Sequence, residues 1–339
     1  MNKKSLEEIA QKMVADGKGI LAADESTGTI KKRFDTIALE STEDNRRDYR
    51  EMLFRSDEAM QSAISGVILY DETIRQKAAD GTTLVSLIER AGSIPGIKVD
   101  AGAKDMAGHP NEKVTEGLDG LRERLEEYFK LGARFAKWRA VINIGDGIPS
   151  RACITANTHA LARYAALCQD NGIVPIVEPE VIMDGPHTVE TCYEVTSSVL
   201  TALYAQLDEQ NVHLEGSILK PNMIVSGTEC PTKASVQQVA EMTLDCFNKC
   251  VPQAVPGIVF LSGGQSDELA TAHLDAMNKM GPHSWKISFS YGRALQAAPL
   301  KTWGGKPENI IAAQAAFTHR AAMNKLAALG EWDANLEKG

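Results

Sequence analysis

Lys220 closes the apolar run Gly216-Ser217-Ile218-Leu219-Lys220-Pro221-Asn222. An ammonium at the tip of a buried strand is poorly solvated, and burial or a second cation favours the neutral amine. A neutral amine attacks carbonyl carbons. A lysine at a strand end is more commonly a solvated head on a snorkelling stem, so Lys220 takes its meaning from its company. Glu178 and Glu180 stand two apart in Ile176-Val177-Glu178-Pro179-Glu180. Lys137 and Arg139 do so in Phe135-Ala136-Lys137-Trp138-Arg139, and Lys98 and Asp100 in Ile97-Lys98-Val99-Asp100. Asp24 ends Ala22-Ala23-Asp24, followed by Glu25-Ser26. Residues two apart on a strand share a face. Each pair taken singly reads equally well as a salt bridge at a rim. Together they place three lysines, an arginine and several carboxylates in one crowd, whose members titrate away from their ordinary values. Lys137 is then positioned to favour a neutral Lys220 by like-charge repulsion, and Glu178 to move protons as an amine condenses and water leaves.

Two further runs carry a different chemistry. Phe260-Leu261-Ser262-Gly263-Gly264-Gln265-Ser266 and Phe289-Ser290-Tyr291-Gly292-Arg293 both carry glycine just past the apolar run. Glycine lets backbone N–H groups approach an anion, and a following helix N-terminus adds a favourable dipole. A glycine pair alone is a turn signal. Beside Gly292-Arg293 on the next run it marks a phosphate site.

The elements that must position these groups recur as a short apolar run followed by a longer stretch of helical period. Eight runs are expected as strands: 19–24, 66–71, 96–100, 134–141, 173–180, 216–220, 257–263 and 286–292. Helices are expected over 45–60, 74–90, 120–131, 151–169, 189–207, 234–248, 267–280 and 308–329. This alternation predicts an α/β fold, a single parallel (β/α)8 TIM barrel; an open doubly wound sheet is the alternative, because periodicity does not report closure. In a barrel the chemistry gathers at the carboxyl ends of the strands, where the charged residues fall. Pro175 and Pro179 are awkward for a central strand. We place Pro175 at its start and Pro179 just past the main pairing. Residues 1–18 read as an extra N-terminal helix and 331–339 as a short, loose C-terminal tail, leaving one domain across 1–339.

Composition narrows the partners. The chain has 339 residues, 43% hydrophobic and 24% charged, enough for a core without staples. Its six cysteines form no CxxC pair, which predicts reduced thiols and a cytoplasmic compartment. Cys246 and Cys250 share a helix face, but two ligands do not make a metal site, and the histidines are scattered. We therefore expect no metal and no cofactor. The N-terminus lacks the apolar core of a signal segment, and no run of about 18 apolar residues is present. A net charge of −9 argues against nucleic acid or an anionic membrane surface as partner. Any phosphate site must then be local.

The residues resemble class I fructose-bisphosphate aldolase from about Met13 to Leu326. The resemblance is carried, in the family's order, by GKGILAADESTGTIKKRF, GVILYDETI, GIKVD, FAKWR, IVPIVEPE, LEGSILKPNM, FLSGGQS and SYGRALQ. It implies a (β/α)8 barrel, no metal, and reversible cleavage of fructose 1,6-bisphosphate to dihydroxyacetone phosphate and glyceraldehyde 3-phosphate in glycolysis and gluconeogenesis. It also implies a cytoplasmic homotetramer acting on sugar phosphates. By this resemblance Lys220 is the Schiff-base lysine, Glu178 the general acid/base with Glu180 beside it, and Asp24 and Lys137 flank the reacting carbons. Lys98 and Arg139 lie toward the C6 phosphate. Ser262, Gly263, Gly264, Ser290, Gly292 and Arg293 surround the C1 phosphate, with Arg33 and Ser26 at the substrate. Two departures stand out. Many relatives end in a tail with a terminal tyrosine that helps protonate the enamine, whereas no tyrosine follows Tyr291 here, which leaves that step open. Thr29 replaces a frequent serine and keeps the hydroxyl. Either Glu178 or Asp24 suits the C4 hydroxyl proton. The competing readings are a Schiff-base aldolase preferring fructose 1-phosphate or sedoheptulose 1,7-bisphosphate, and a barrel that binds sugar phosphates or a partner without turnover.

Overall fold

In the computed structural model, which describes residues 2–338, the eight apolar runs are eight parallel strands closed into a barrel. They are β1 (Gly19–Ala23), β2 (Ile64–Leu69), β3 (Ile94–Lys98), β4 (Phe135–Ile142), β5 (Val174–Val181), β6 (Ile218–Leu219), β7 (Gly257–Phe260) and β8 (Lys286–Tyr291). Each pairs with its sequence neighbours, and β8 closes on β1 through Ile20–Ser290 and Leu21–Tyr291. The strands read as near-continuous apolar runs because helices cover one face and the barrel interior the other.

The interior explains how the charged residues come together. Ile20, Ile68, Phe135, Val174, Ile176, Ile218 and Val259 fill its lower part. Phe135 fits because two facing strands carry glycine: a Cβ at Gly66 would stand 2.9 Å from its ring, and one at Gly96 would overlap it. Helix α1 (Lys3–Met13) seals the amino-terminal end with Leu6, Ala10, Met13 and the following Val14, a one-sided helical spacing. Two residues further along the same strand faces stand Asp24, Lys137, Glu178 and Lys220. Period two thus converts an apolar floor into a charged top.

The prolines of β5 sit differently from expectation. β5 pairs with β4 from Phe135–Val174 to Ile142–Val181, so Pro179 lies inside that pairing, opposite Ala140. It is tolerated because of direction. Val174 N donates to Arg134 O at 3.0 Å and Ile182 N to Ile142 O at 2.9 Å, so even-numbered amides face β4. The proline nitrogens face β6, whose ladder with β5 is only Ile176–Ile218 and Val177–Leu219. No donor is missing where one is needed.

Several helices also differ. The stretch 45–60 is two helices, α2 being Thr27–Asp35, α3 Glu43–Phe54 and α4 Asp57–Ala63. The stretch 74–90 is α5 (Asp71–Arg75) and α6 (Leu84–Arg90), separated by a turn at Asp80-Gly81 where Gly81 has φ +84°. Then follow α7 (Leu121–Lys130), α8 (Arg151–Asp170), α9 (Val189–Glu209), α10 (Val236–Cys250), α11 (Asp267–Lys279), α12 (Arg293–Trp303) and α13 (Ile310–Leu329). A hairpin of Ala103–Asp105 and Lys113–Thr115 lies outside the barrel. The last residues are not loose up to Lys338: Ala334–Lys338 forms a 3-10 turn, and Glu337 accepts from Arg320 and from Trp332 Nε1.

Candidate active site

Four charged side chains form a row at the carboxyl end of the barrel. Lys220 follows β6, its backbone N–H fixed on Val177 O at 2.8 Å. Its Nζ lies 3.2 Å from Glu178 Oε1. The other Glu178 oxygen is 3.4 Å from Lys137 Nζ, which lies 2.7 Å from Asp24 Oδ2. Lys220, Glu178 and Lys137 are 4%, 3% and 4% exposed, so these charges are screened by one another rather than by water. Burial by itself raises the Asp24 carboxyl, but the Lys137 and Lys220 charges overcome it and hold Asp24 well below the usual carboxylate range. Burial by itself lowers Lys137, and Asp24 and Glu178 push it above the usual lysine range.

A second layer surrounds the row. Arg139 Nε donates to Glu180 Oε2, and although burial opposes the charge, Glu180 raises Arg139 above its ordinary value. Lys98 Nζ donates to Asp100 Oδ1 at 2.6 Å and to its carbonyl at 2.7 Å. The same-face expectation for this pair is thus met by a direct ion pair. On the other side, Ser26 caps α2, accepting from Thr29 N at 3.4 Å. α2 carries Arg33 back to Glu25, whose Oε1 it shares with Gln296 Nε2 at 2.9 Å.

The opposite wall is built from β7 and β8. Gly263 takes φ +57°, which a residue with a Cβ rarely adopts. Its carbonyl accepts from Arg293 Nη2 at the start of α12. Ser262 and Ser290 are buried, and Ser290 Oγ has no hydrogen-bond partner. A buried, unpaired hydroxyl facing a cavity is a waiting donor.

These groups line one cavity of about 800 Å³. It brings together Asp24, Ser26, Arg33, Lys98, Lys137, Arg139, Glu178, Glu180, Lys220, Ser262, Gly263, Ser290, Gly292 and Arg293. Gly264 is not in the lining; its N–H turns to Met183 Sδ at 2.9 Å. Sequence reasoning missed Glu25 and its partners. Glu25 follows Asp24 and lines the same cavity, and the buried Arg50 Nη2 reaches its carbonyl at 2.8 Å. The signal was the doubled acid Asp24-Glu25, of which only the first was given a role. Among the described residues no three His, Cys, Asp or Glu side chains group as metal ligands. None of the described helices is long and apolar enough to cross a membrane.

Comparison with known proteins gives a consistent result. The family model described as "Fructose-bisphosphate aldolase class-I" matches residues 5–339. A protein of Xanthomonas campestris pv. campestris named "Probable fructose-bisphosphate aldolase class 1" is 59% identical over 333 residues, covering 98% of this chain and 99% of its own. The "Fructose-bisphosphate aldolase, non-muscle type" of Lethenteron camtschaticum is 53% identical over 331 residues, covering 97% and 91%. Among solved structures, fructose-bisphosphate aldolase from Plasmodium falciparum, solved with TRAP and a small-molecule inhibitor, superposes with a TM-score of 0.96 at 49% identity, covering 98% of this chain and 96% of that one. A closed eight-stranded barrel with this sequence match along nearly its whole length makes the chain a member of the class I fructose-bisphosphate aldolase family.

Proposed function

We propose that this protein catalyses the reversible aldol cleavage of fructose 1,6-bisphosphate to dihydroxyacetone phosphate and glyceraldehyde 3-phosphate, through a Schiff base on Lys220. The observation that carries the assignment is the row Asp24–Lys137–Glu178–Lys220, with every link at 3.4 Å or less. Lys220 passes a proton to Glu178, whose Oε1 lies 3.2 Å from its Nζ, and attacks the C2 carbonyl as the free amine. Glu178, beside it, gives a proton to the departing hydroxyl, and water leaves an iminium. As the C3–C4 bond breaks, its electrons flow to the iminium nitrogen and an enamine forms. The C4 hydroxyl proton goes to a carboxylate. Asp24 is held ionised by two cations and is a weak base, which favours Glu178 for this step as well. Protonation at C3 and hydrolysis then free Lys220 and the second product.

The phosphates orient the chain of carbons. Lys98 and Arg139 are assigned to the C6 phosphate, with Glu180 holding Arg139 in place. Ser262, Gly263, Ser290, Gly292 and Arg293 are assigned to the C1 phosphate, and Arg33 and Ser26 to the rim beside it. Alignment of this kind contributes about 7–11 kcal/mol in well-oriented systems. Two cationic ends favour a bisphosphate over fructose 1-phosphate. The family also supports one aldolase-type domain over 1–339, a cytoplasmic location and a homotetramer.

Reductive trapping tests the assignment. Borohydride added with substrate should fix a substrate-sized mass on Lys220, located by peptide mapping. A mass on another lysine, or none, refutes it.

A further inference from the structure

We propose that Met183, in the loop after β5, is a positioning residue for the glycine turn after β7. The inference rests on the assignment of Ser262, Gly263 and Arg293 to a substrate phosphate. The Gly264 N–H donates to Met183 Sδ at 2.9 Å. A Cβ built on Gly263 or Gly264 would stand 3.2 or 3.1 Å from that sulfur, so the thioether lies directly against both residues. On the other side, Arg293 Nη2 holds the Gly263 carbonyl, and Gln265 N closes the turn on Ser262 O at 3.2 Å. Ser262, Gly263 and Arg293 line the cavity, whereas Met183 and Gly264 do not. The sulfur therefore grips the turn from behind.

Its own anchorage is firm. The Met183 carbonyl accepts from Thr228 N at 2.7 Å, and the next carbonyls along the loop, those of Gly185 and His187, accept from Glu229 N and Gly227 N, both at 2.9 Å. Met183 thus ties the loops after β5, β6 and β7 into one unit. A turn with two adjacent glycines has the greatest backbone freedom to lose on binding an anion. A thioether is a weak acceptor, but it fixes the Gly263–Gly264 peptide before the ligand arrives, which lowers the ordering cost of binding. Because the row at Lys220 is not touched, the effect falls on binding.

The test uses the full-length enzyme with Met183→Leu, Met183→Gln and Arg293→Ala. Leucine keeps the volume and removes the acceptor; glutamine restores one. Met183→Leu should raise KM for the bisphosphate and the inhibition constant of inorganic phosphate about 2–10-fold, the range of one hydrogen bond, with a much smaller change in kcat. Met183→Gln should recover most of that loss. Unchanged KM and phosphate inhibition in Met183→Leu, or equal losses in the leucine and glutamine variants, overturn the role of the sulfur. If Arg293→Ala weakens phosphate inhibition while Met183→Leu does not, only the inference about Met183 falls. If Arg293→Ala changes neither constant, the phosphate assignment falls, and this inference with it.

Discussion

Replacing Lys137 by methionine isolates the charge that organises the site. Its Nζ lies 2.7 Å from Asp24 and 3.4 Å from Glu178. At an effective dielectric of about 20 these contacts are worth roughly 6 and 5 kcal/mol before desolvation. Desolvation of the ammonium offsets much of this, and removing one partner of a buried pair costs about 3–5 kcal/mol net. With about 2.1 cal/mol/K of unfolding entropy per residue, a chain of this length loses roughly 1.4 °C of Tm per kcal/mol, so Lys137→Met should melt about 4–7 °C lower at pH 7. The pH dependence carries the sharper test. In the native protein Asp24 is depressed below its unfolded value, so its contribution is fully present above about pH 4 and is lost only at lower pH. In Lys137→Met the largest opposing charge and its hydrogen bond are gone, so burial, the largest influence on Asp24, is expected to outweigh the remaining Lys220 and Lys98 charges and carry Asp24 above its unfolded value. The folded variant then takes up a proton more readily than the unfolded chain, and its stability rises as pH falls toward 4. Melting followed by circular dichroism from pH 7 to pH 5 should show the gap to the native protein narrowing. A gap that is constant or widens on acidification, or a Tm within a degree of native at pH 7, refutes the electrostatic account. Turnover should fall by about 10²–10³-fold, the usual loss for one preorganised electrostatic group.

Asp24→Ser should still form the borohydride-trapped adduct at Lys220 while cleavage slows, as measured by single-turnover release of triose phosphate; loss of trapping would give Asp24 a role in imine formation. Gly96→Ala drives a methyl into the Phe135 ring and should cost about 1–3 kcal/mol by overpacking, seen as a lowered Tm that Phe135→Leu partly restores. A Tm unchanged by Gly96→Ala would show that the barrel floor is not packed as described.

Much of this was legible in the sequence for a physical reason. Strands buried on both faces must be apolar along their length, so the eight runs stood out, and period two put Lys137 with Arg139 and Glu178 with Glu180 on one face. Closure was not legible, because the β1–β8 ladder joins residues some 270 apart, such as Ile20 and Ser290. Helix ends were lost where a cap sits inside an unbroken polar stretch. Arg55 ends α3 and Ser56 starts α4 directly after it, and Ser26 starts α2, which was not expected at all. α12 was hidden because it begins at glycine and contains Pro299. Among site residues, the contacts between Glu25, Arg50 and Gln296 are invisible to any local pattern: they join the segment after β1 to α3 across 25 positions and to α12 across 271. The terminal turn looked loose because its anchor, Glu337 on Arg320, is also tertiary.

The pairing of charges at the barrel top supports the proposal that Lys220, of the two lysines in the row, is the one that reacts. The chain carries −9 overall, so an anionic substrate meets no attractive global field, and the site cannot hold surplus cations without cost. Accordingly each carboxylate there already has a cation: Asp24 has Lys137, Glu180 has Arg139, Asp100 has Lys98 and Glu25 has Arg33. Phosphate must be held by donors left over. A guanidinium has five N–H groups in a fork, so Arg139 and Arg33 can keep their carboxylates and still donate outward. Within the row the two lysines are not equivalent. Lys137 serves both Asp24 and Glu178, and neutralising it would strip Asp24 of its nearest counter-charge. Lys220 pairs directly with Glu178, which Lys137 also reaches, and its influence on Asp24 is second to that of Lys137. In the proposed mechanism Lys220 therefore attacks a carbonyl without leaving a buried carboxylate alone, because Lys137 still pairs with both, and the iminium that follows puts a positive charge back at the same nitrogen. On this proposal the end of the row is the nucleophile, and the middle of the row is what makes that possible.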